Sequence, residues 1–211
     1  VSDIYAAPEE GALAVVDGVS IAGASKVDLT RLDTYYFSPQ KCFGSDGGLW
    51  VAILSPAAID RAFELAKRTD RPQFGVLNLS SAIELSRKGQ TSNTPAIGTL
   101  LLLHEQIQWM LAGGGLSAMA AKSRSGAQTI WDWCETSEFA SLFVKDPALR
   151  SPVVGTIDLD ERVDHAALCA QLRANGVVDI EPYRKLGRNQ VRVGMFPSVP
   201  TADVEALTAC V

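Results

Sequence analysis

The chain has 211 residues, 47% of them hydrophobic and 20% charged, with 17 Gly and 10 Pro, which excludes a disordered, collagen-like or coiled-coil protein and points to one domain or one and a half. A formal net charge of −5 leaves no broad basic face for nucleic acid or anionic lipid. The longest aliphatic run, residues 100–103, is cut by His104 and Glu105, far short of the ~20 apolar residues of a membrane span.

In chain order, residues 12–16 form an apolar run ending in Asp17-Gly18 and read as a fully buried strand with a carboxylate at its carboxyl end. A second strand is predicted over 34–37, stopped by Ser38-Pro39, and a third over 49–54 after the glycine-rich turn 44–48. Ser55-Pro56 opens a helix to about Arg68, with Ser as N-cap and Pro in the first turn. Thr94-Pro95 repeats that signature before a longer helix, in which Leu100, Leu103, Ile107 and Met110 recur at helical spacing. Three glycines at 113–115 end it, and another helix runs from about Leu116 to Glu135. Beyond the turn signals near 145–151, the pattern predicts a strand over 153–159 and a helix over 163–174 ended by Asn175-Gly176. A strand pair is predicted between Val177 and Phe196, and a final helix capped by Thr201. The class is α/β.

The four cysteines are widely spaced and contain no C-x-x-C pair, which favours reduced thiols and a cytoplasmic setting. His104-Glu105 lacks the second histidine of H-E-x-x-H, since Gln108 stands there, so no metal site is expected. G-x-S-x-G is absent. Chemistry is left to Lys, Asp and Arg. Lys41 follows a buried strand among uncharged neighbours, where desolvation favours the neutral amine that imine chemistry needs; a surface lysine on a turn is the plain alternative. Asp17 ends an earlier strand, and ligands of α/β sheets gather at the carboxyl ends of strands. A Lys imine with an Asp on a pyridine nitrogen is the pyridoxal phosphate arrangement, although Asp before Gly also simply forms turns. Asn93-Thr94-Pro95 suits an anion at a helix start, or mere capping. Arg184, Lys185, Arg188 and Arg192 cluster within nine residues; they form either a solvated charged hairpin or guanidinium forks for carboxylate and phosphate. Arg192 alternates with Val191 and Val193, so on a strand it faces away from them.

Three stretches, YYFSPQKCFGSDGG (35–48), QTSNTPA (90–96) and EPYRKLGRNQVRV (181–193), resemble the phosphoserine aminotransferases, class V enzymes of the pyridoxal phosphate (PLP) fold type I. The resemblance runs from Asp17 to the chain end. It implies that Lys41 holds pyridoxal 5′-phosphate through an imine, that Gln40 lies near the cofactor phosphate, and that Asp17 partners the pyridine nitrogen. It implies that Asn93 and Thr94 reach the cofactor phosphate of a neighbouring subunit, hence a homodimer with shared sites. Arg192 would clamp the substrate carboxylate and Arg184 the substrate phosphate; many relatives place His where this chain has Tyr183. The implied reaction passes an amino group between glutamate and 3-phosphohydroxypyruvate in serine biosynthesis, in the cytoplasm, with small-molecule substrates and no nucleic-acid or membrane partner.

The alternatives are an alanine–glyoxylate type aminotransferase, a cysteine desulfurase, or a catalytically incompetent fragment. Desulfurases usually carry His where Gln40 stands and need a mobile catalytic Cys. The chain opens on Val1 without Met, and the family's stacking aromatic, cofactor-binding Thr, phosphate loop and N-terminal substrate arginine all precede the matching region. Residues 1–148 are therefore expected to be the C-terminal part of a large PLP-binding domain and 149–211 a small C-terminal α+β domain, an incomplete fold-type I pair.

Overall fold

The computed structural model describes residues 11–183 and 186–211. They form two compact units. The first holds residues 11–20 and 27–107; the second holds 21–26, 108–183 and 186–211.

In the first unit, β1 (Val15–Asp17), β2 (Thr34–Phe37) and β3 (Val51–Leu54) form a sheet in that order. β1 runs parallel to β2, with Asp17 opposite Tyr36, and β3 runs antiparallel to β2. β1 is shorter than the run 12–16 suggested and is not fully buried, because it pairs on one side only among the described residues; Val15 is 60% exposed. The carboxylate of Asp33 ties the entry of this sheet together. It accepts from the Ala14 N–H at 2.9 Å and the Ser55 hydroxyl at 2.8 Å, and these two bonds, the first above all, hold its carboxyl below the ordinary aspartate value.

Ser55 Oγ in turn accepts from the Ala58 N–H and caps α1 (Pro56–Ala66), as its sequence signature requires. α2 (Leu79–Arg87) follows, capped by Asn78, whose Oδ1 accepts from the Ser81 N–H. The sequence reading contains no helix there. α3 spans Ile97–Ala112, its residues up to Ile107 lying in this unit. Its first i→i+4 bond runs from the Leu100 N–H to the Ala96 carbonyl, so Thr94-Pro95 lies ahead of the helix and Thr94 is not its cap. Of the four residues in the predicted stripe, Leu103 and Met110 are buried while Leu100 is exposed.

The second unit is built on α4 (Gly115–Thr136) and an antiparallel sheet of β4 (Ala140–Leu142), β5 (Val154–Leu159) and β6 (Gln190–Gly194), with β5 central. Gly114 takes φ +102° between α3 and α4, the left-handed turn that the glycine run provides. β5 alternates half-buried and buried residues, so one face of the sheet is inside. There Ile157, Val191 and Val193 pack with Ile130, Trp131 and Met195. α5 (His165–Ala174) is capped by Asp164 and closed by Gly176 at φ +87°. α6 (Thr201–Cys210) has Pro200 at the cap position and no side-chain cap bond, so Thr201 is its first residue rather than its cap. The strand pair expected between 177 and 196 is a single strand among the described residues; the backbone at 180 is tied to β6 by the Arg192 N–H bond to the Ile180 carbonyl, 2.8 Å, without forming a second strand. The position between 148 and 149 falls in this unit, between β4 and β5.

Candidate active site

The parallel pairing of β1 and β2 brings two chain segments out at the same end of the sheet. Asp17 is the last residue of β1, and its Oδ1 accepts from the Val19 N–H at 2.9 Å. The Tyr36 hydroxyl, on the neighbouring strand at the same register, donates to the Asp17 carboxylate, and that bond pushes the Tyr36 phenol above its ordinary value. Gly18 follows with the Tyr35 ring packed directly against its Cα.

The segment carrying Lys41 leaves β2 at the same end and is stitched down along its length. Ser38 Oγ donates to the Leu49 carbonyl at 2.7 Å, the Gly44 N–H to the Lys41 carbonyl at 2.9 Å, and the Ser45 N–H to the Pro39 carbonyl at 3.1 Å. Buried Ser45 donates through Oγ to the Thr99 carbonyl at 2.9 Å, while Thr99 Oγ1 donates to the Gly47 carbonyl. Phe37 and Phe43 stack with centroids 5.2 Å apart. Cys42 Sγ donates to the Ser20 carbonyl at 3.2 Å, which ties the residue after Lys41 to the chain three residues beyond Asp17. Asp17 and Lys41 thus belong to adjoining, anchored segments at the carboxyl ends of parallel strands, where ligands of such sheets bind.

Lys41 is half-buried and Gln40 beside it exposed. Asn93 and Thr94 are exposed in the turn before α3, where Thr91 Oγ1 donates to the Asn93 carbonyl at 2.7 Å; none of the hydrogen bonds above joins them to Asp17 or Lys41. Arg184 lies outside the described residues. In the second unit, Arg192 is half-buried on β6 between buried Val191 and Val193, opposite Thr156, with its guanidinium carbon 5.0 Å from the Tyr183 ring centroid.

The sequence reading missed Tyr36. Its signal was present in the alternation of strand 34–37, but only the parallel pairing shows that it stands beside Asp17. Among the described residues no group of three or more His, Cys, Asp or Glu could hold a metal. His165 Nδ1 is paired with Asn189 Oδ1 at 2.9 Å. The donor set instead fits a pyridine cofactor: a carboxylate oriented by two donors yet exposed to accept a ring N–H, and a half-buried primary amine on the adjoining segment.

Residues 1–181 match the family described as aminotransferase class-V. The chain belongs to the class-V aminotransferases. It is 57% identical over 201 residues to a putative phosphoserine aminotransferase of Mycolicibacterium vanbaalenii, covering 95% of this chain and 54% of that protein. It is 52% identical over 204 residues to the phosphoserine aminotransferase of Corynebacterium glutamicum, covering 96% and 54%. The chain thus spans about half the length of the curated relatives it matches. The crystal structure of a phosphoserine aminotransferase from Cytophaga hutchinsonii superposes with a TM-score of 0.87 at 28% identity, over 99% of this chain and 57% of that one. An alanine–glyoxylate aminotransferase from Nostoc sp. gives 0.77 at 23% identity, over 95% and 53%, a likeness of fold alone. The architecture is that of the fold-type I, class-V aminotransferases, with Lys41 and Asp17 in its α/β portion.

Proposed function

We propose that this chain carries the lysine, the ring-nitrogen carboxylate and the carboxylate-binding arginine of a PLP-dependent phosphoserine aminotransferase, which moves an amino group between glutamate and 3-phosphohydroxypyruvate in serine biosynthesis. The observation that carries the reading is the placement of Asp17 and the Lys41 segment at the carboxyl ends of two parallel strands. The substrate follows the names of the relatives at 50–57% identity.

When bound, pyridoxal 5′-phosphate supplies an electron-withdrawing ring that stabilises negative charge at the substrate α-carbon. The Asp17 carboxylate, oriented by Tyr36 and the Val19 N–H, keeps a proton on the ring nitrogen. The Lys41 amine would hold the cofactor and would serve as general base toward the α-proton of the amino acid. Gln40 is assigned to the near side of the cofactor phosphate. Asn93 and Thr94 are assigned to the phosphate of a second subunit's cofactor, in a homodimer. Large apolar side chains left exposed on α3 support that dimer: Ile97 is 65% and Leu101 59% exposed, and exposed apolar patches of this kind mark interaction surfaces. Arg192 grips the substrate α-carboxylate and Arg184 the substrate phosphate. A cytoplasmic setting belongs to the same proposal, with the biosynthetic role; no helix among the described residues is long and apolar enough to cross a membrane.

A desulfurase needs a reactive thiolate, and the cysteine of the unit that carries Lys41, Cys42, is buried, its thiol pushed up to about 12 by burial. Release of 2-oxoglutarate from glutamate, measured with the PLP-loaded enzyme, tests the substrate. 3-Phosphohydroxypyruvate is expected to be accepted well ahead of hydroxypyruvate and glyoxylate. Equal use of glyoxylate, with the phosphorylated acid ignored, would overturn the reading in favour of an alanine–glyoxylate type enzyme.

A further inference from the structure

Arg192 differs from most arginines around it. Arg150, Arg162, Arg173 and Arg188 of the same unit are each ion-paired with a carboxylate, whereas Arg192 forms no ion pair among the described residues. Its backbone is fixed on both sides: it lies in β6 opposite Thr156, and its N–H is bonded to the Ile180 carbonyl at 2.8 Å. That second bond draws the 180–183 segment alongside the strand, and Tyr183 lays its ring over the guanidinium at 5.0 Å. Tyr183 is 57% exposed, so its ring is not there to fill the core.

A ring against one face of a guanidinium restrains where the plane can lie. It leaves the edge N–H groups free, and these are the groups that form the parallel pair of bonds to a carboxylate. Stacking and carboxylate binding therefore use perpendicular directions and do not compete. An acidic neighbour would restrain the side chain equally well but would occupy the edge that the ligand needs.

We infer that Tyr183 is a positioning residue for substrate: its ring face orients the Arg192 guanidinium so that the edge is presented to the α-carboxylate of the amino donor. The inference rests on the assignment of Arg192 to that carboxylate. It gives position 183 a role carried by the ring and independent of a titrating or hydrogen-bonding group.

The test uses the PLP-loaded enzyme and steady-state kinetics with glutamate, on Tyr183→Phe, Tyr183→Leu and Arg192→Gln, with melting temperatures confirming that each is folded. Tyr183→Leu is expected to raise the KM for glutamate about two- to fivefold, the size of an exposed cation–π contact, with kcat unchanged. Tyr183→Phe keeps the ring and is expected to match wild type, and Arg192→Gln to raise KM more than either. If Tyr183→Leu leaves KM unchanged while Arg192→Gln raises it, the inference falls and the assignment of Arg192 stands. If Tyr183→Phe raises KM as much as Tyr183→Leu, the hydroxyl rather than the ring matters, and the inference is again overturned. If Arg192→Gln leaves KM unchanged, the assignment of Arg192 falls and the inference with it.

Discussion

Gly18 links the fold of the first unit to its site, and replacing it tests that link. A Cβ at residue 18 would sit 2.5 Å from the Tyr35 hydroxyl oxygen and inside contact with the ring carbons, about 1 Å short of an ordinary van der Waals separation. The Tyr35 ring cannot swing freely away, because Tyr35 is buried. Either the ring leaves its place or the backbone after Asp17 shifts, and overpacking of this kind costs about 1–3 kcal/mol. For a protein of this size that lowers the melting temperature by roughly 2–12 °C. A backbone shift would also move the Asp17 carboxylate away from the Tyr36 hydroxyl and weaken cofactor binding. Thermal melting of Gly18→Ala, with cofactor affinity by equilibrium dialysis, measures both. Gly47→Ala is the control: its Cβ meets nothing within 4 Å, so it is expected to stay within about 0.5 kcal/mol of wild type. If Gly18→Ala melts with the control and binds the cofactor normally, the packing argument is wrong.

Two further outcomes follow from the titrating groups. Cys42 and Cys134 are buried, with thiols pushed up by burial to about 12 and about 11, and buried Cys169 is raised as well. Only exposed Cys210 is expected to react with a thiol reagent at pH 8 in the native protein, and all four after denaturation; rapid native labelling of Cys42 would contradict this. Burial works to raise the Asp158 carboxyl, but hydrogen bonds from Arg188 and Gln190 outweigh it and hold it below the ordinary value. Its contribution to stability is therefore present above the unfolded value of about 4 and lost as pH falls through the lower folded value. Asp158→Asn should flatten the fall in urea midpoint between pH 5 and pH 3, and an unaltered slope would refute the assignment.

Elements with local chemical punctuation were legible in the sequence. Ser55-Pro56 and Asn175-Gly176 mark helix ends because their side-chain oxygen or left-handed turn acts on adjacent backbone, and β2 stops where Pro39 ends the run. Elements defined by distant partners were not. β4 has three residues, Ala140–Leu142, too few for alternation to show, and exists because β5 pairs with it. α2 is nine residues long, and its cap Asn78 follows the apolar, glycine-containing stretch 74–77 rather than a turn signal. Thr94 and Thr201 look like caps, yet Ala96 and Pro200 occupy those positions, where no side-chain oxygen announces them. The same divide runs through the site. Lys41 and Asp17 stand out by type and place, whereas the Tyr36 bond to Asp17 is a product of strand pairing and the ring of Tyr183 over Arg192 follows from the backbone bond between Arg192 and Ile180.

The central claim is that Lys41 is the residue that holds the cofactor. Borohydride reduction of the PLP-loaded enzyme makes that bond permanent, and peptide mapping then locates it. A single pyridoxyl label is expected on Lys41, lost in Lys41→Ala together with the visible absorption band. A label on any other lysine, or a band that survives in Lys41→Ala, would contradict it.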